Sequence, residues 1–135
     1  THQQYFIIMN LQVTYLRIAG SICLLFTIFH CFFHTMFNWD TALNCLSVSD
    51  RGILLTYHWI SILILGFMTA LSLFQARMLA TSDLKYSILI MFCLFFINRS
   101  VAEFKYFGLN PSSWVILPMC VAPVIFFAIP LFYRK

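Results

Sequence analysis

The chain of 135 residues is strongly apolar: 62% of its residues are hydrophobic, 19% are aromatic and only 9% are charged. A soluble globular domain carries about 25% charged residues. The composition therefore excludes a water-soluble enzyme or binding module and indicates an integral membrane protein. The net charge of +4 comes mostly from residues that flank apolar stretches, so it gives no reason to expect nucleic acid as a partner.

Four apolar stretches follow one another along the chain and predict four membrane-spanning helices. Each has the roughly 20 residues that are needed to cross the hydrocarbon core of a bilayer. The stretches are continuous rather than alternating, which favours helices over the strands of a barrel. Because the connections are short, we expect a single all-α domain over 1–135, an antiparallel up-down-up-down bundle. The predicted spans are about 18–37, 52–75, 84–104 and 113–133.

Residues 5–16, which precede the first predicted span, are apolar as well. Joined to that span they would make a helix of about 50 Å, longer than one crossing requires. We expect an interfacial lead-in helix or a steeply tilted extension, with Arg17 reaching the membrane surface. The first twelve residues contain neither a basic segment nor a cleavage-site pattern, so the first span is expected to act as its own insertion signal.

Lysine and arginine are distributed unevenly between the two sides of the predicted bundle. Five lie on one side and two on the other, and cytoplasmic loops of membrane proteins are rich in these residues. We therefore expect a multi-pass protein of the cell (inner) membrane with both termini in the cytoplasm. The five are Arg17, Arg77, Lys85, Arg134 and Lys135, and the two are Arg51 and Lys105.

Five ionisable side chains lie inside the predicted spans, near the same end of the bundle. Such groups are costly in lipid, so they indicate a functional site by default and are expected to face one another. Two pairs are separated by four residues, a spacing that places both members on one helix face. The fifth lies on the second span at a matching depth. These residues are His30 and His34, Arg99 and Glu103, and His58.

Three kinds of ligand fit this set of side chains. His30, His34 and His58 with Glu103 would be a sufficient ligand set for one metal ion. Alternatively, His30 and His58 would be the axial ligands of a haem. Arg99 adds positive charge and favours a small anionic or quinone-like ligand held together with His30 and His58. No nucleophile, P-loop or dinucleotide motif occurs, so the reaction, if there is one, is not predicted.

A second hypothesis assigns the polar cluster to helix association, which polar side chains also support in membranes. The protein would then be an accessory subunit of a larger membrane complex, such as a respiratory or electron-transfer complex. The expected partners are the lipid bilayer and either other membrane subunits or further copies of this chain. Gly66 and Ala70 have the spacing of small residues that permit close helix packing, and Gly20 is a second such position.

The layout of four short-looped spans resembles a group of small bacterial membrane proteins called DoxX-like. The likeness rests on His34-Thr35-Met36-Phe37 at the close of the first span and on the segment from Arg99 to Glu103 at the close of the third. It covers the architecture of the whole chain. The resemblance implies an accessory role beside a quinol oxidase, and it assigns no individual site residue.

Overall fold

The fold is that of a computed structural model, which describes residues 2–108 and 110–133, without the side chain of residue 2. Within these residues the chain forms helices and no strand. Seven α-helices occur, and π-helical turns Ala70–Phe74 and Glu103–Phe107 extend two of them. The helices are α1 (His2–Cys31), α2 (Phe33–Met36), α3 (Trp39–Ala42), α4 (Val48–Thr69), α5 (Ala76–Thr81), α6 (Lys85–Ala102) and α7 (Ser113–Ala128).

Four helical segments are long and apolar enough to cross a membrane, which confirms the prediction of four apolar helices. Each contains at least the number of residues that a crossing of about 30 Å requires. The second, third and fourth agree with their predicted positions within a few residues at each end. The segments are Gln3–Cys31, Val48–Phe74, Lys85–Phe107 and Ser113–Phe132.

The first span differs most from its predicted bounds. The apolar lead-in 5–16 is continuous with it in α1, because no proline or glycine interrupts the first 19 residues. Gln12 and Leu16 are buried against the rest of the bundle, so this stretch is part of the packed fold. The helix ends at Cys31 instead of residue 37, and Asn38 then adopts a left-handed conformation with φ of 48°, which reverses the chain into α3.

The helices pack in an open arrangement. The helix α1 packs against both α4 and α7, and α7 packs against α6, whereas α4 and α6, both fully described, are not closely packed. Apolar side chains fill the interior of the bundle, among them Cys23 and Phe26 of α1, Leu89 and Phe96 of α6, and Phe127 of α7. Since α4 and α6 do not close the bundle, a groove runs between them.

The closest approach of two backbones occurs where α1 crosses the π-helical turn after α4. A Cβ atom on Gly20 would lie 2.6 Å from the backbone nitrogen of Leu73, so only glycine fits there. Around Gly66, no described atom outside its own helix lies within 4 Å of such a Cβ. The interpretation of Gly66 and Ala70 as a close-packing pair is therefore wrong at Gly66, because that residue does not face a neighbouring helix.

Polar residues are concentrated at two ends of the bundle, which we name by their residues. The histidine end contains His30, His58, Arg99 and Glu103. The lysine end contains Lys85 together with Gln12 and Tyr133. Of the seven cations in the predicted orientation count, Arg134 and Lys135 lie outside the described residues, and Lys85 is buried rather than at the surface.

Candidate functional site

At the histidine end, α1 and α4 bring two imidazole rings together. The ring centroids of His30 and His58 are 6.4 Å apart and their planes differ by 21°. Phe33, at the start of α2, lies nearly parallel to both, 4.4 Å from His30 and 5.6 Å from His58. Trp39 of α3 contacts His58 edge to face at 4.8 Å. His30, Phe33 and His58 thus form a partly buried group of nearly parallel rings, which we call the ring stack. Trp39 packs against the stack edge to face.

The hydrogen bond of His30 defines which ring nitrogen remains for a ligand. Its Nδ1 atom lies 2.8 Å from the carbonyl oxygen of Phe26. A carbonyl only accepts, so Nδ1 donates, and Nε2 of a neutral imidazole is then an acceptor. Arg99 lies at the same end of the bundle, three residues after Phe96, which packs against Phe26 at 5.7 Å. His30 therefore offers one hydrogen-bonding atom at the end of the bundle that also contains Arg99.

His34 lies outside the ring stack. Its side chain is 49% exposed, and its Nε2 atom is 3.7 Å from Oδ1 of Asp40 in a surface ion pair. Its ring contacts Trp39 edge to face at 6.2 Å. The turn between α1 and α2 explains this position, because the i,i+4 relation to His30 assumed one continuous helix through both residues.

The third span contributes a buried ion pair to the histidine end. Nη1 of Arg99 is 2.8 Å from Oε2 of Glu103, and Glu103 is only 1% exposed. The hydroxyl of Ser113, at the start of α7, donates to Oε1 of the same carboxylate at 2.8 Å. Oδ1 of Asn110 accepts from the backbone N–H of Ser113 at 3.2 Å, and the Ser113 hydroxyl also lies 3.1 Å from the carbonyl oxygen of Gly108.

The ion pair leaves hydrogen-bonding capacity unused. Arg99 Nη1 and Glu103 Oε2 are 2.8 Å apart and are each other's partner in the ion pair, although they are not aligned as a hydrogen bond. A guanidinium has five N–H donors, and the Arg99 side chain is one-third exposed. The donors of Arg99 that the ion pair does not use are therefore open to a ligand.

The predicted residues thus separate into three groups. His30 and His58 meet in the ring stack, Arg99 and Glu103 pair beside it, and His34 pairs with Asp40. Among residues 2–108 and 110–133, no group of three or more His, Cys, Asp or Glu side chains is placed to hold a metal ion.

Sequence reasoning missed three residues that shape this site: Phe33, Trp39 and Ser113. Phe33 lies three residues after His30, and this helical spacing could have indicated a shared face. Trp39 has the aromatic character of a membrane-interface anchor, which gives no reason to expect its contact with His58. The contact of Ser113 with Glu103 depends on the geometry of the connection between α6 and α7, for which the sequence contains no clear signal.

The lysine end was missed altogether as a buried cluster. Lys85 is 1% exposed, and its Nζ atom donates to Oε1 of Gln12 at 3.2 Å and to the carbonyl oxygen of Tyr133 at 3.0 Å. These contacts join α1, the start of α6 and the segment that follows α7. A pocket of about 270 Å³ lies beside them, lined in part by Tyr5 and Met9.

Comparison with known proteins adds no relative, since no family model, no curated protein and no solved structure matches the chain. The resemblance to DoxX-like proteins consequently stays a prediction. The function is therefore inferred from the positions of the side chains at the two ends of the bundle.

Proposed function

We propose that the protein binds a quinone-like molecule within the membrane, with the head of that molecule at the histidine end. The head is neutral and flat and carries carbonyl or hydroxyl oxygens. The observation that carries the proposal is the parallel ring stack of His30, Phe33 and His58 at the same end of the bundle as Arg99, whose side chain is one-third exposed.

The aromatic surroundings favour a flat head. Rings pack best against other rings in offset-stacked or edge-to-face arrangements, with centroids about 4.5–7 Å apart. The ring stack already has such spacings, and His30 and His58 are both only partly buried, so part of each ring is open to a ligand. A planar head can extend this stack without disturbing the packing of α1 on α4.

The charge balance favours a neutral head over an anionic one. The guanidinium of Arg99 is already neutralised by Glu103 at 2.8 Å. An anion that approached Arg99 would also approach this carboxylate, and like charges repel. A neutral carbonyl accepts a hydrogen bond from the guanidinium without that penalty.

The hydrogen-bonding groups suit both redox forms of a quinone. Arg99 can donate to a carbonyl or hydroxyl oxygen, since most of its N–H groups lack a partner among the described residues. Nε2 of His30 can accept from a hydroxyl, because Nδ1 is committed to Phe26. A hydroxyl can thus accept from Arg99 and donate to Nε2 of His30, whereas a carbonyl oxygen accepts from Arg99 alone.

A metal ion and a haem have less support. The described residues supply no three-member ligand group, and Glu103 is engaged by Arg99 and Ser113. Phe33 stacks on both His30 and His58, so it occupies space that a macrocycle between two axial histidines would need.

The accessory-subunit hypothesis keeps one specific observation in its favour. In the most apolar 18 residues of the second span, only 17% are buried within the chain, compared with 39% in the corresponding part of the first span. In a membrane, the remaining surface of α4 is covered by lipid or by another protein. A chain that binds no quinone probe would favour this second function.

The proposal is tested by quenching of tryptophan fluorescence in the purified protein. The reporter is Trp39, whose ring lies 4.8 Å from His58, in a variant with Trp59 and Trp114 replaced by phenylalanine. The probe is a benzoquinone with a decyl tail. We expect saturable quenching in the parent. The affinity for the probe should be about tenfold weaker in His30→Ala and in His58→Ala, since each substitution removes part of the binding surface. His34→Ala is the matched control and should change the affinity less than about twofold, because its ring lies outside the stack.

Decyl phosphate, which has the same tail and an anionic head, should not displace the quinone probe. Quenching that does not saturate, or that is equally weak in the His30 and His34 variants, would refute the proposed site. Displacement by decyl phosphate would instead assign an anionic ligand to Arg99.

The proposed placement in the cell membrane has the histidine end facing outward and both termini in the cytoplasm. It rests on the five-to-two distribution of lysine and arginine. Cys45, exposed in the connection between α3 and α4, is the reporter in a variant with the other four cysteines replaced by alanine. We expect labelling of Cys45 by a membrane-impermeant maleimide in intact cells. Labelling only after permeabilisation would reverse the orientation.

A further inference from the structure

A strongly apolar groove lies between α4 and α6, and its Phe95 end is the end nearest the histidine end. Its volume is about 450 Å³, within the range of about 300–1,000 Å³ typical of small-molecule sites. Its walls are Ile64, Phe67 and Met68 on α4, and Leu84, Met91 and Phe95 on α6. It exists because α1 packs against α4 and α7, while α4 and α6 do not close against each other.

The groove ends about one helical turn from the proposed head site. Phe95 lines its end nearest the histidine end, and Arg99 follows four residues later on the same face of α6. On α1, Phe26 packs against Phe96 at 5.7 Å, and His30 follows Phe26 by one turn. The groove therefore ends one helical turn below the guanidinium and the imidazole that the proposed function assigns to the head.

The length of the groove indicates the shape of its occupant. From Leu84 to Phe95 the α6 wall is about 16 Å long, and from Leu84 to Arg99 the distance is about 22 Å at 1.5 Å per residue. Both lengths exceed half the thickness of the hydrocarbon core, which is roughly 30 Å. A chain held along the whole groove thus passes the middle of the bilayer, unlike the paired chains of a phospholipid in one leaflet.

We infer that this groove holds the single long hydrocarbon tail of the ligand whose head is bound at the histidine end. The inference rests on the proposed function and adds the class of ligand: a membrane-resident quinone with one long tail. The wall is almost entirely apolar, with Ser87 as a polar side chain near its far end, which suits a hydrocarbon tail and offers no second head site. Since the groove opens sideways, the ligand enters from the bilayer between α4 and α6.

The test uses a benzoquinone with a hexadecyl tail that carries a diazirine at its far end. After illumination of the full-length protein in lipid nanodiscs, cross-linked peptides are mapped by mass spectrometry, with and without excess unlabelled quinone of the same tail length. We expect competable cross-links within 64–68 and 84–95. Competable cross-links confined to the opposite face of α4, around Leu63, or to α7 would overturn the tail assignment.

A substitution that fills the groove provides the second arm of the test. Met91→Trp places a large ring in the groove and should reduce competable cross-linking about tenfold. Ile90→Trp is the matched control, because Ile90 is exposed on the same helix but does not line the groove, and it should retain the parent yield. Ser87→Trp replaces Met91→Trp if that variant does not fold. Parent-level cross-linking in a folded groove-filled variant would refute the inference.

The head site and the tail site can fail separately. His30→Ala should reduce competable cross-linking about tenfold everywhere if the head site is correct. If His30→Ala reduces it while the parent cross-links lie outside the groove, only the tail assignment is wrong. If His30→Ala leaves competable groove cross-links intact, the head site is wrong, and so is the tail inference that depends on it.

Discussion

The two ends of the bundle both contain buried charged groups, but they use them differently. At the lysine end, Lys85 is 1% exposed and donates to Gln12 and to the carbonyl of Tyr133. At the histidine end, Arg99 is one-third exposed and its buried Nη1 lacks an aligned acceptor among the described residues. A charge whose hydrogen bonds are made within its own chain stabilises the fold, whereas one with unused donors at the surface can bind a ligand.

The position of each cation reflects the elements around it. Lys85 begins α6 where α1 and the segment after α7 pass close by, so three parts of the chain meet at its ammonium group. Arg99 lies near the end of α6, beside the groove that α4 and α6 leave open. The lysine end thus has a structural role alone, whereas the histidine end combines a stabilising ion pair with a binding surface. The predictions below test that separation.

The largest loss of stability is expected when the ion pair at the histidine end is broken. Arg99→Leu should lower the free energy of unfolding by about 3–5 kcal/mol, because it leaves the buried carboxylate of Glu103 unpaired. The double variant Arg99→Leu/Glu103→Gln should recover most of that loss, since a neutral amide can still accept from Ser113. Denaturant unfolding in detergent measures both. A cost below about 1 kcal/mol in the single variant would show that the pair is solvated rather than buried.

A smaller loss is expected at the lysine end, together with unchanged binding. Lys85→Met removes two hydrogen bonds from a charged donor and should lower the free energy of unfolding by about 3 kcal/mol. The affinity for the decyl-tailed quinone should remain within about twofold of the parent. Lys105→Met, at an exposed lysine, is the control and should cost less than about 0.5 kcal/mol. A folded Lys85 variant that loses quinone binding would contradict a purely structural role.

The backbone contact at Gly20, between the two ends, tests the contribution of close packing apart from that of polar interactions. Gly20→Ala should lower the free energy of unfolding by about 2 kcal/mol, because the new Cβ collides with the backbone at Leu73 and α1 must shift. Gly66→Ala, at a helical glycine with open space around it, should raise it by about 0.5–1 kcal/mol. Thermal unfolding of the two variants side by side measures this contrast. Equal and small changes would mean that the close approach at Gly20 is not required.

The sequence predicts the helices well because lipid imposes a strong constraint on them: long apolar runs can satisfy their backbone groups only as helices or closed barrels. It also identified His30 and His58 as neighbours, since both are costly in lipid and lie near the same end of adjacent spans. It could not predict that Lys85 contacts Gln12, because 73 residues separate them. An interfacial lysine was the simpler expectation for a cation at the start of a span.

Other differences between the predicted and the observed contacts arise from the rotation of each helix about its own axis, which apolar runs do not define. A span that is apolar all round gives no periodicity from which to identify its packed face. For this reason Gly66 was interpreted as a contact residue, although the close approach is at Gly20. The groove between α4 and α6 has the same origin, since neither its existence nor its lining can be derived from hydropathy.

The most direct test of the separation between the ends is the thermal stabilisation that the decyl-tailed quinone produces in three proteins. At about 100 times its dissociation constant, a ligand that binds only the folded state stabilises it by about 2.7 kcal/mol. The account predicts that the parent and Lys85→Met both gain this stabilisation, although Lys85→Met unfolds at a lower temperature without ligand. It predicts that the double variant His30→Ala/His58→Ala gains none. Stabilisation of the double histidine variant equal to that of the parent would contradict the account.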